Sequence, residues 1–411
     1  MDQSEPRRSL ASEIGNPLIN MTRQVVEEDA TPSGWRTTTP GAVIWILLGI
    51  IRILIGTFCS AIFYIPSSLR PSKQWTHNQA LRTWFMRTVF GIITDIGWMQ
   101  SVSLKPGKLG RRWVVIEPAS PEAYQGPLSH DVVKPQKIGA TWYAEPPLGQ
   151  HHGSAFEGEV DGNEPQGLVA LYFHGGSFMW GSGRPDDCGF AADLLNSRLG
   201  PGARSLWVQY RLSGDKNDPT PWPGPFQDAM TSYLYLTDEL HIPPHRIVVG
   251  GDSSGGTLAI GLVRYLVDLG QPTPKACLLF SPSVDTTFEA DSRDIDRHRN
   301  QKTDYIEGRM AAWGYQVFAP SPMRLDGPYL SPSLHPFPTR TAIFVQSGGA
   351  EVILDTNIEF VERFQKVSGN KVVHWVLQDA PHDVFLLGPL IGWTKGAEEI
   401  ANAAVAFLAQ L

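Results

Sequence analysis

The chain is 411 residues long, 42% hydrophobic and 18% charged, with a formal net charge of −7. That length and composition fit one large globular domain with an appendage, and the acidic balance excludes the basic face that nucleic-acid binding requires. The three cysteines, Cys59, Cys188 and Cys277, are far apart and lack C-x-x-C or metal-ligand spacing, so no disulfide framework is expected and each reads as a buried apolar filler.

Residues 1–40 are polar, rich in Pro, Ser, Thr and charge of both signs, and are expected to form no packed core. Residues 42–65, AVIWILLGIIRILIGTFCSAIFYI, carry one charge, Arg52. At about 1.5 Å per residue the stretch is long enough for a hydrocarbon core of roughly 30 Å. Too much polar chain precedes it for a cleaved signal peptide. Arg52 costs about 2.5–3.5 kcal/mol in mid-bilayer, which favours the competing picture of an apolar helix packed on the body or lying in the interface. The apolar neighbours outweigh that cost, and the expectation is a single-pass membrane anchor, with the endoplasmic reticulum as one setting. Within 20 residues of it, two basic residues before (Arg23, Arg36) and three after (Arg70, Lys73, Arg82) leave its orientation open. The one N-x-S/T sequon, at Asn20, lies in the polar tail.

Pro66 and Pro71 end the apolar stretch. Trp75–Met99 follows with apolar residues at mixed spacings of three and four, a helix suited either to capping an active site or to packing in the core or on a membrane. The region 67–110 is accordingly read as a helical cap, and 111–411 as the catalytic domain. There the pattern turns to short apolar runs: Trp113–Ile116, Ala140–Ala144, Leu168–Phe173, Ser205–Tyr210, Ile247–Gly250, Ala276–Phe280, Ala342–Gln346 and Val372–Leu377 are expected strands. Helices are expected at Asp186–Ser197, Pro225–Glu239, Gly255–Leu269, Asn357–Lys366 and Gly396–Leu408. Strands alternating with helices imply an α/β fold with a mostly parallel sheet covered on both faces, and the helix-free early strands imply an antiparallel start. Residues 145–166 read as a surface insertion. His151 and His152 within it have no third ligand at metal spacing, so no metal is expected there.

The chemistry concentrates in three places. Gly251-Asp252-Ser253-Ser254-Gly255 is a G-x-S-x-G between an apolar strand and a helical run. A serine on that turn is held with its Oγ exposed, and the flanking glycines relieve clashes. Tyr172-Phe-His174-Gly175-Gly176-Ser177-Phe178 directly follows a strand. Acyl transfer develops an oxyanion that needs preorganised N–H donors, and the amides of Gly175, Gly176 and Ser254 are the expected ones. A serine also needs a base, and the base an orienting acid. His382 follows the last strand, and Glu351 follows the strand ending at Gln346, with Asp355 as the competing acid. The order Ser253, Glu351, His382 is that of the Ser…Asp/Glu…His triad on this kind of strand-turn-helix.

From about residue 111 onward, His174-Gly-Gly, Asp252-Ser253-Ser-Gly-Gly, Ser281-Pro282, Asp304-Tyr305 and Pro381-His382 together resemble the hormone-sensitive-lipase-like branch of the α/β-hydrolases. The resemblance implies an eight-stranded sheet, an N-terminal helical cap over the acyl pocket, the acid at Glu351 and a supporting role for Asp355. A membrane anchor ahead of such a domain is similar to the architecture of fungal steryl acetyl hydrolases. Ser177 stands where the family usually has a third glycine, Ser254 where it has alanine, and Glu351 where it usually has aspartate. The function implied is serine ester hydrolysis on a hydrophobic small-molecule or lipid ester, without cofactor. The alternatives are an acyltransferase or hydrolase-fold cyclase using the same acyl-enzyme, and a non-catalytic ligand receptor of the gibberellin-receptor kind, which lacks the histidine present here. Acyl-chain length, acyl acceptor, membrane sidedness and oligomeric state are not legible.

Overall fold

A computed structural model describes residues 31–144, 167–320 and 322–411; Asn20, His151 and His152, most of the 1–40 tail and the whole 145–166 insertion lie outside the described residues. Eight strands form one sheet: β1 Trp113–Ile116, β2 Ile138–Tyr143, β3 Val169–Phe173, β4 Arg204–Gln209, β5 Ile247–Asp252, β6 Ala276–Phe280, β7 Ala342–Gly348 and β8 Val372–Leu377. Their order is β1-β2-β4-β3-β5-β6-β7-β8. The pairs β1–β2 and β2–β4 are antiparallel and all later pairs are parallel. The central strands β3, β5 and β6 are buried at every position, which explains why they read as continuous apolar runs rather than alternating ones.

The helices are α1 Thr39–Phe63, α2 His77–Asp95, α3 Pro185–Leu199, α4 Gly224–Leu234, α5 Ser253–Asp268, α6 Thr286–Glu289, α7 Ser292–Arg297, α8 Gly308–Phe318, α9 Leu354–Gln365, α10 Val384–Ile391 and α11 Thr394–Leu408. Of these, α6, α7, α8 and α10 were not expected from the sequence. Two apolar cores lie on opposite faces of the sheet. Leu171, Val208, Val249 and Leu279 belong to one; the neighbouring residues Tyr172, Trp207, Val248 and Leu278 belong to the other. This is the period-two alternation of a sheet covered on both sides.

Helices α1 and α2 form an antiparallel hairpin against the body. Thr38 caps α1 by accepting from the Gly41 amide at 3.2 Å, and Thr76 with Gln79 makes a capping box on α2. Between them Arg70 donates to the carbonyls of Tyr64, Ile65 and Trp75 at 2.9, 2.8 and 2.7 Å, satisfying groups that the end of α1 leaves open. Trp45 Nε1 donates to Asp95 Oδ2 at 3.1 Å, and His77 Nε2 lies 2.8 Å from the Ala61 carbonyl. Gly49 faces Ile92 and Gly56 faces Trp84 so closely that a Cβ would come within 2.7 and 2.4 Å of those side chains. The rest of α1 is bare: Leu47, Leu54, Ile55 and Phe58 are 57%, 66%, 60% and 68% exposed. Cys59 lies on this helix and is exposed, so it is not the buried filler the sequence pattern implied; Cys188 and Cys277 are buried.

Candidate active site

The five strands β3, β5, β6, β7 and β8 run parallel, so their carboxyl ends open on one edge of the sheet, where open α/β sheets place ligands. There His174, Ser253 and Ser281 directly follow β3, β5 and β6, and Glu351 and His382 come three and five residues after the ends of β7 and β8.

Ser253 is the first residue of α5 and adopts φ 49°, a left-handed conformation that a side chain rarely occupies. Strain of this kind costs of order 1–3 kcal/mol and persists only where the surroundings enforce it. The enforcement is visible in the packing: a Cβ on Gly255 would fall 2.1 Å from the Phe173 carbonyl oxygen. The turn therefore seats directly against the end of β3. The Ser283 amide donates to the Ser253 carbonyl at 2.9 Å. The Ser253 hydroxyl is half-exposed and makes no hydrogen bond among the described residues, a common state for a reactive side chain before substrate arrives.

Glu351 and His382 meet in the interior. Glu351 Oε2 lies 3.0 Å from His382 Nδ1, with the two residues 0% and 3% exposed. The other carboxylate oxygen accepts from the Gly348 amide at 3.0 Å and Asn357 Nδ2 at 3.4 Å. Burial by itself would depress the imidazole. The hydrogen bond and charge of Glu351, with Asp304 and Glu289 beyond it, outweigh that and hold His382 above its ordinary value.

Asp304 binds the acid and base loops together. It is fully buried; its Oδ2 accepts from the Val352 amide at 2.7 Å, and its Oδ1 from the amides of Tyr305 at 2.7 Å and His382 at 3.4 Å. Asp355, to which the family resemblance assigns a supporting role, touches neither Glu351 nor His382. It is ion-paired with Arg299 and hydrogen-bonded to His298 Nε2 at 3.1 Å, and its side chain is 44% exposed. The same loop reaches Glu351 separately: the Asn300 amide donates to His298 Nδ1 at 3.2 Å, and Asn300 Nδ2 donates to the Glu351 carbonyl at 2.9 Å. The Asp304-Tyr305 pair carried the family likeness in sequence, yet its role needs contacts across 48 and 78 residues, which no local pattern displays.

The loop after β3 is also strained. Gly176, Ser177 and Phe178 have φ 108°, 53° and 60°, and Phe178 anchors them by stacking on Phe318 at 3.7 Å. His174 is buried beneath the loop, its ring stacked on Tyr210 at 4.3 Å and its carbonyl accepting from the Tyr210 hydroxyl at 2.7 Å. Burial pushes its pKa down to about 4, so it is neutral and serves as a support. The amide of Gly175 is not available as an oxyanion donor: it donates to Asp252 Oδ2 at 2.8 Å. The neighbouring amides of Gly176 and Ser177 have no acceptor among the described residues, and the Ser254 amide is one of the first-turn donors that a helix leaves open. Ser177 therefore takes the place of Gly175 among the candidate oxyanion donors.

Asp252 is itself buried, and burial moves its carboxyl up to about 6. Asp383, directly after His382, is held well above the usual carboxylate range by burial and by the nearby charge of Asp252. A further buried cluster adjoins the nucleophile: Glu289 accepts from Ser283 Oγ at 2.5 Å and from the Tyr315 hydroxyl at 3.4 Å, and burial lifts its pKa to about 7. Only its position in an unexpected helix, α6, hid it from the sequence. Among the described residues no three His, Cys, Asp or Glu side chains converge as a metal site.

A family model for the alpha/beta hydrolase fold matches residues 170–386. The acetyl-hydrolase of Streptomyces hygroscopicus is 30% identical over 239 residues, which cover 58% of this chain and 75% of its own. The ethyl acetate hydrolase of Pseudomonas putida is 26% identical over 231 residues, 55% of this chain and 68% of its own. Among solved structures, a hormone-sensitive lipase from a metagenome library shares the fold with a TM-score of 0.53 at 20% identity, covering 66% of this chain and 82% of its own. The chain belongs to the α/β-hydrolase family.

Proposed function

We propose that this protein is a serine ester hydrolase working through an acyl-enzyme on Ser253. The observation that carries the reading is the buried 3.0 Å hydrogen bond between Glu351 and His382 on the same sheet edge as the strained serine turn. Ser253 Oγ attacks the ester carbonyl as His382 takes its proton, and Glu351 holds the imidazole in the tautomer that leaves Nε2 free to accept. The amides of Gly176, Ser177 and Ser254 stabilise the oxyanion. The alcohol leaves with the proton from His382, and water, deprotonated by the same base, releases the acid and regenerates the serine.

The relatives named for acetyl ester hydrolysis support a short acyl group. Aromatic cover around the base supports a hydrophobic substrate: Tyr305 lies edge-on to His382 at 5.9 Å, and Phe90 of α2 stacks on Tyr305 at 5.6 Å. The 25-residue apolar helix α1 supports attachment to a membrane. Turnover of p-nitrophenyl acetate by the full chain and by Ser253→Ala tests the chemistry. The variant is expected to lose activity by at least about a thousandfold, and undiminished turnover would remove Ser253 from the mechanism.

A further inference from the structure

The bare face of α1 has the composition of a lipid-facing surface: twelve large side chains along it, all aliphatic or Phe, are more than 40% exposed. A protein partner's interface would carry aromatic and arginine anchors with polar groups around them. The one charge, Arg52, lies three residues after Gly49 and four before Gly56, the two glycines pressed against α2. Residues three and four apart share a helix face, so Arg52 sits at the margin of the covered stripe and not in the middle of the bare one.

Orientation depends on what α2 is attached to. The contacts Trp45–Asp95, Gly49–Ile92, Gly56–Trp84 and Ala61–His77 keep α1 alongside α2 over nearly its whole length. On its other side α2 is fixed to the body. Arg82 donates to the Pro389 carbonyl at 2.7 Å, Arg87 to Glu307 at 3.3 Å and to the Asp304 carbonyl at 3.1 Å, and Phe90 packs on Tyr305. Arg87 lies between Trp84 and Ile92, level with the middle of α1. If α1 stood upright across a bilayer, the Arg87–Glu307 pair and the flank of the catalytic body would be carried to the depth of the hydrocarbon core. Charges at that depth are strongly unfavourable. If α1 lies flat, the bare face enters the lipid, while Arg52 and α2 remain at the headgroup boundary.

We infer that α1 is an in-plane membrane-docking helix: it holds the enzyme on one leaflet of a lipid bilayer without crossing it, and presents the active site to esters dissolved in that leaflet. The inference rests on the proposed membrane attachment of α1 and specifies its geometry. From lipid to base the route is short: α1 packs on α2, Phe90 of α2 on Tyr305, and Tyr305 on His382.

The test uses the full chain with Cys59 replaced by serine, the two remaining native cysteines being buried. Single cysteines at Ile44, Ile55 and Ile62, which lie within about 20° of one another around the helix and are all exposed, carry an environment-sensitive fluorophore on phosphatidylcholine vesicles containing depth-graded bromolipids. An in-plane helix gives the three sites equal depth. A spanning helix puts Ile55 about 16 Å deeper than Ile44, and that profile would overturn the in-plane geometry while leaving membrane attachment intact. Failure of the chain to float with vesicles, or burial of the three sites in a dimer without lipid, would overturn the attachment itself. Leu54→Glu with Phe58→Glu is expected to weaken vesicle binding at least about a hundredfold and to abolish turnover of p-nitrophenyl palmitate carried in vesicles. Hydrolysis of soluble p-nitrophenyl acetate should be unchanged, and equal loss on both substrates would refute delivery from the leaflet.

Discussion

Glu351→Gln preserves the size of the side chain and removes its charge, and the hydrogen bonds around it determine the outcome. Two donors, the Gly348 amide and Asn357 Nδ2, point at Oε1. The glutamine carbonyl must occupy that position, since an NH₂ there would face other N–H groups. Its NH₂ is then left pointing at His382 Nδ1, which has to accept. The ring proton moves to Nε2, the nitrogen that must take the proton of Ser253. Loss of a positioned general base costs about 10²–10⁴ in rate, and an amide in place of the orienting carboxylate of such a triad costs about 10⁴. The expected result is a fall in kcat of about 10³–10⁴ on p-nitrophenyl acetate, with KM within about threefold, since no ground-state contact is lost. Glu351→Asp keeps the charge with a shorter reach and should recover part of the rate. Circular dichroism would establish that both variants fold. A glutamine variant retaining more than about a tenth of wild-type kcat would refute the tautomer argument.

The acidic limb of the wild-type kcat/KM profile reports His382. The base must be neutral, and its pKa is raised, so activity is lost on acidification at a pH above the ordinary imidazole value of about 6.5; a limb below that would contradict the role of Glu351. Asp304→Asn leaves the Val352 amide or the Tyr305 and His382 amides without an acceptor, at about 1–3 kcal/mol, and removes a charge that raises His382. It should lower kcat and also move that limb to lower pH, whereas a stability loss with an unmoved limb would make Asp304 merely structural. In Gly175→Ala the added Cβ would stand 2.3 Å from Asp252 Oδ2 and 2.9 Å from Ser253 Cβ, displacing the oxyanion loop; fluorophosphonate labelling should slow by about 10² or more. Glu289 has a pKa of about 7 in the folded chain against an ordinary 4.5. The folded state therefore holds this proton more tightly, and stability is lost as pH rises from about 4.5 to 7, by a few kcal/mol (~3). Urea unfolding at the two ends of that range should show the loss in wild type and a smaller one in Glu289→Gln.

The eight strands were legible because each is a short apolar run bounded by turn residues. The positions of Ser253, Glu351 and His382 at one edge of the sheet were legible because each follows an expected strand. Helix α10, VFLLGPLI, carries no amphipathic period and has Pro389 inside it, so nothing in its pattern distinguishes it from a buried strand. The choice between Gly175 and Ser177 as an amide donor depends on the hydrogen bond from the Gly175 amide to Asp252, a residue far from it along the chain. Asp355 looked like a partner of the acid because it is four residues away in sequence. It starts a helix whose first turn faces the Arg299 loop, so proximity along the chain did not become proximity at the site.

The segment after β6 has a consequence for how such an enzyme can change. Its Ser283 amide holds the Ser253 carbonyl at 2.9 Å, and its Ser281 hydroxyl accepts from the Asp383 amide at 3.1 Å. One short stretch of chain thus grips Ser253, the proposed nucleophile, and the residue next to His382, the proposed base. The floor of the site behaves as a single casting, in which a shift of either arm must deform both. Helices α1 and α2 make no hydrogen bond to that segment among the described residues. Random variation that preserves turnover should therefore collect in those two helices rather than in the stretch after β6.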